Sequence, residues 1–167
     1  MTSPDQQPNA SDYRRAAVLT KYHRQGNTQG VLAIVDETNT ADRAVQLLFA
    51  VLGLHKLLIT RLRTEEGITL LADWIQGMAA LEPIDAASAD MIRGAQLLDL
   101  HGRDDREGIG RVMNAATADG RPTETFLRLL DHYEVALPEL SGPAGITWLE
   151  AHIDALRTEE FKPDEDA

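Results

Sequence analysis

Apolar residues recur along this chain at spacings of three and four, with little strict alternation. That is the helical period, and it predicts an all-α fold. Ser11 or Asp12 is placed to cap a first helix running to about residue 25, where Gly26-Asn27 breaks the pattern. A second helix is expected over about 28–37. Thr40 would cap a third over about 41–62, and Thr64 a fourth over about 65–81, ended by Glu82-Pro83. Four more follow at about 88–102, 105–118, 122–136 and 145–158. Pro122 suits a first helical turn, and Gly120, Pro138 and Ser141-Gly142-Pro143 punctuate. The short connections suit antiparallel neighbours in a bundle or a short array of helical hairpins of the tetratricopeptide kind.

Sliding the chain by 78 residues lays 12–78 over 90–156 without a gap and gives fourteen identities. Among them are Asp12/Asp90, Arg15/Arg93, His23/His101, Gly30/Gly108, Arg43/Arg121 and Gly67/Gly145. The fold expected is therefore eight helices in two tandem four-helix repeats, at 11–83 and 84–158, between disordered tails at 1–10 and 159–167. Glycine follows each start of the second and fourth helices of both copies, at Gly30, Gly67, Gly108 and Gly145. Glycine inside a helix costs about 1 kcal/mol relative to alanine, so close packing at these positions is the expected return.

The copies part company in the third helix. Leu47, Ala50 and Leu54 fall on one helical face and become Thr125, Arg128 and His132 in the second copy. With Leu58, they make helix 41–62 apolar nearly all round, and such a helix is buried on more than one side. Two coverings are open: the rest of the same chain, or an intermolecular face formed by a homodimer or a protein partner.

Composition narrows the rest. Sixteen Lys+Arg against 27 Asp+Glu give a net charge of −11, and the absence of cysteine excludes disulfides, thiolate metal sites and a cysteine nucleophile. The acid lies unevenly: 12–78 carries eight basic and seven acidic residues, 90–156 six and twelve. No clustered Lys/Arg face marks a nucleic-acid binder. The most apolar run, about 44–59, is interrupted by Gln46, His55 and Lys56 and falls short of a bilayer span. No signal-peptide pattern opens the chain, so a cytoplasmic protein is expected. Few lysines beside many arginines suggest a bacterial, GC-rich source.

Candidate chemistry is sparse. His23 and His101 share a repeat position at the ends of their helices, where histidine also suits the helix dipole. Neither has a ligand-spaced partner on its own helix, so no metal site is assigned. Arg43 and Arg121 sit at third-helix starts, against the dipole, which points to a bridge with an acidic neighbour such as Asp12 or Asp90; a bound anion is the alternative. The run Asp99, Asp104, Asp105, Glu107 lacks calcium-loop spacing. No nucleophile elbow, phosphate loop or dinucleotide fingerprint appears. The expected role is a non-catalytic protein–protein interaction module (adaptor, regulator or accessory subunit) without cofactor, nucleic acid or membrane. The alternative is a small-ligand binder or cofactor-free enzyme with a pocket between the repeats around Arg43, Arg121, His23 and His101.

Overall fold

A computed structural model describes residues 6–162. Eight α-helices, and no strand, occur among them: α1 Ala10–Arg24, α2 Thr28–Thr40, α3 Ala44–Leu62, α4 Glu65–Ala79, α5 Ala86–Gly102, α6 Arg106–Ala118, α7 Pro122–Ala136 and α8 Pro143–Glu160. A 3-10 turn at Pro138–Ser141 joins α7 to α8. The all-α expectation holds. Of the expected tails, 1–5 and 163–167 lie outside the described residues.

The ends of the helices follow local chemistry. α1 begins earlier than Ser11 because Asn9 is the cap: its side chain accepts from the Asp12 N–H while Asp12 accepts from the Asn9 N–H. Thr64 caps α4 through the Gly67 N–H, as expected. Thr40 does not cap α3. It is the last residue of α2, and Asp42 turns the chain at φ 54° before α3 starts at Ala44. Asp42 has its counterpart 78 residues on in Gly120 (φ 71°), and Gly26 (φ 69°) has Asp104 (φ 60°). Glycine and aspartate are among the residues that tolerate this left-handed backbone. The same offset relates both ends of α2 to those of α6 and the starts of α3 and α4 to those of α7 and α8.

The chain divides into two compact units that do not coincide with 11–83 and 84–158. One comprises residues 1–56 and 138–167, the other 57–137. In the first unit α1 packs against α2 and α8, with the 3-10 turn against α8. In the second, α5 packs against α4, α6 and α7. Each half of the sequence thus lends its last helix to the first helix of the other half. Both lent helices present the same core-facing residues, Leu71 and Ile75 on α4 and Leu149 and Ile153 on α8; of these Ile75, Leu149 and Ile153 are fully buried.

Leu47, Ala50, Leu54 and Leu58 are buried within the single chain, none more than 4% exposed. That corrects the intermolecular reading of this stripe, since side chains so covered have no surface left for a second chain. α3 is also the one described helix long and apolar enough, by length and composition, to cross a membrane. It carries a fully buried His55 and a buried stripe, as the core helix of a folded unit does. The counterpart positions on α7 are not solvent-facing as a group: Thr125 and His132 are buried and only Arg128 is exposed. Burial there is made possible by His132 Nε2 meeting the Met91 carbonyl oxygen at 2.8 Å and by its edge contact with Trp74.

Candidate functional site

The retained arginines hold retained aspartates. Arg43 Nε donates to Asp12 Oδ1 at 3.1 Å and its Nη2 to Oδ2 at 2.5 Å. Arg121 donates from Nε and Nη2 to Asp90 Oδ2 at 2.9 and 2.7 Å. Asp12 and Asp90 are buried, at 0% and 1% exposure, and the paired guanidinium makes that burial tolerable. Hydrogen bonding to Asp90 raises the Arg121 pKa further above its ordinary value. Arg15 and Arg93 approach the same carboxylates from one turn along the helix, at 3.6 and 3.8 Å.

This arrangement separates the residues that sequence reasoning grouped as an anion site. Arg43 is anchored at the start of α1, whereas His23 stands eleven residues further along that helix, about 16 Å away at 1.5 Å per residue. Asp90 with Arg121, and His101, repeat the same separation on α5. Neither unit brings its arginine and histidine to one point.

In the first unit an ion network ties α1 to its neighbours. Arg14 Nε donates to Glu160 Oε2 at 2.8 Å, Arg15 Nε to Glu37 Oε1 at 2.9 Å, and Lys21 Nζ lies 3.2 Å from Glu150. The Arg15 hydrogen bond holds the Glu37 carboxyl below the usual carboxylate range. His55, buried on α3, meets the Val51 carbonyl oxygen through Nδ1 at 2.8 Å. Desolvation pushes its pKa down to about 3. Burial likewise lowers His152, stacked on Trp148 with ring centres 4.9 Å apart, and raises the buried Tyr133 phenol.

The repeated glycines are packing positions at three of four sites. A Cβ at Gly30 would strike the Tyr22 ring, one at Gly108 the Leu100 and Asp105 side chains, and one at Gly145 the Glu139–Leu140 backbone. Gly67 has more room, with the Thr64 hydroxyl at 3.4 Å.

Sequence reasoning missed the flank of α4. Leu70 is 69% exposed and Leu81 51%, and with the half-buried Trp74 they recur at helical spacing on one side; Ile84 follows at 91%. The α8 residues at the matching positions are Trp148, Glu159 and Lys162. The signal was present in that difference, but it reads as surface only once α4 is seen packed on α5 by another face. Comparison with protein-family models, curated proteins and solved structures finds no match to this chain.

Proposed function

We propose that this protein is a non-catalytic protein–protein interaction module, an adaptor, regulator or accessory subunit working in the cytoplasm. The observation that supports this reading is the exposed apolar flank formed by Leu70, Leu81 and Ile84 beside Trp74. Single exposed leucines are ordinary on a surface, but several in register on one helix and its following loop are what binding faces present. The matching end of α8 carries charged residues, so this flank is a property of α4 rather than of fourth helices in general.

The test is a triple substitution, Leu70→Glu, Leu81→Glu and Ile84→Glu, made on exposed side chains. Helicity should stay intact. Solution mass, or recovery of partners from the native cell, should change relative to the wild-type chain. Identical mass and identical recovered proteins for both forms refute the reading.

A further inference from the structure

The second unit carries a groove of about 440 Å³ between α4, α5 and α6, floored by Ala79, Ala80 and Leu100 and rimmed by Gln76, Asp99 and Arg103. The first unit carries a groove of about 240 Å³ at the matching place between α1 and α8. Its Lys21, Tyr22, Asp154 and Arg157 lie 78 residues from Asp99, Leu100, Gln76 and Ala79 respectively. The two grooves are one site of the fold, treated differently.

In the first unit the chain fills the site itself. The Tyr22 ring lies over Gly30, Lys21 pairs with Glu150 at 3.2 Å, and Arg157 pairs with Asp154 at 3.5 Å. In the second unit the aromatic ring is replaced by Leu100, the ammonium by Asp99 and the guanidinium by Ala79. Remaining are an apolar floor, a carboxylate on the rim, and roughly 200 Å³ more space, from the difference between the two volumes.

We propose that the second-unit groove docks a segment of a protein partner bearing an aromatic residue and a Lys or Arg within one helical turn, supplying the groups that Tyr22, Lys21 and Arg157 supply in the first. Charge supports a basic occupant: residues 57–137 hold eight basic and fourteen acidic side chains. Asp99 is now met by Arg103 at 3.0 Å, but that arginine is 60% exposed, and an exposed pair of this kind yields readily to a competing cation. The other rim arginine, Arg111, is already flanked by Asp105 and Glu107 at 3.8 and 3.5 Å. The aromatic ring takes the apolar floor while its neighbouring cation takes the carboxylate.

The inference rests on the interaction reading but concerns a face of α4 turned away from Leu70 and Leu81. The test is selection of displayed random 12-residue peptides on the full-length protein. Enriched peptides are then measured against Ala79→Arg/Leu100→Tyr, which restores the filling seen in the first unit. The expected peptides pair an aromatic residue with Lys or Arg, bind the double variant at least tenfold more weakly, and weaken at least fivefold with Asp99→Asn. Should the double variant not fold, Asp99→Lys, which copies Lys21 on the rim, serves in its place with the same tenfold expectation. Peptides that are acidic, that bind the filled variant equally, or that fail to appear overturn the proposal. Peptides indifferent to these changes but lost with Leu70→Glu/Leu81→Glu overturn the groove while leaving the interaction reading standing.

Discussion

Lowering the pH from 7.5 to 5 should destabilise this protein through one residue, His55. Its imidazole is wholly buried on α3 and titrates near 3, against 6.5 for an ordinary histidine. Desolvation is the main cause; the charges of Arg24 and His23 push the same way, and the Val51 carbonyl opposes them. The folded state therefore keeps the ring neutral while the unfolded chain takes up a proton below pH 6.5. Stability is fully present above 6.5 and is lost as pH falls toward 3. At 1.36 kcal/mol per pH unit, the loss is about 2 kcal/mol at pH 5 and about 3 kcal/mol at pH 4. Urea denaturation followed by circular dichroism at pH 7.5, 6.5, 5.5 and 5.0 measures it as a falling midpoint at constant slope. His55→Phe keeps an aromatic ring at the position that Tyr133 occupies 78 residues on, and it should flatten the profile over that range. An equally steep acid loss in His55→Phe would show that other groups carry it.

Four further outcomes follow from the packing. Asp12→Ala removes the partner of Arg43 and part of the α1 cap, and should cost about 3 kcal/mol in a denaturant titration. Thr125→Val removes a buried hydroxyl that has no hydrogen-bond partner, at a position where the first half has Leu47, and should raise stability by about 1 kcal/mol. Leu47→Asp with Leu54→Glu places two carboxylates at buried sites and should abolish cooperative melting; a folded protein of altered solution mass would restore the intermolecular reading of that stripe. Gly77→Ala meets open space on α4 and should stabilise by up to about 1 kcal/mol, whereas Gly145→Ala meets the Glu139–Leu140 backbone and should lower the melting temperature.

Much of the local structure was legible because it depends on neighbours in sequence. Gly26, Thr64, Gly120 and Pro122 mark their boundaries by turn and cap chemistry that acts over three or four residues. The Asp12–Arg43 pair was legible for another reason: an arginine kept in both halves against the helix dipole needs an acidic partner, and Asp12 and Asp90 were kept beside it. What covers each apolar face was not legible. Periodicity shows that Leu47, Ala50 and Leu54 share a face but carries no information on whether a second chain or this one covers it. The groove of the second unit depends on α4 lying against α5, and α1 pairs with a helix more than a hundred residues away. No pattern within either half announces that pairing.

The length of α3 gives that pairing a physical cause. Nineteen helical residues carry the chain about 28 Å in one direction, and only Arg63 and Thr64 separate its end from α4. Two residues span at most about 7 Å, too little to bring α4 back beside α1. The first half must finish its chain away from where it began, and α1 is completed instead by α8. Each first helix then receives a fourth helix encoded in the other half, so a substitution on α4 alters the surface of α5 and one on α8 alters the surface of α1. This decouples the two docking faces in sequence while keeping them alike in frame. Arg157 closes one groove and Ala79 leaves the other open, although both residues occupy the same place in the repeat.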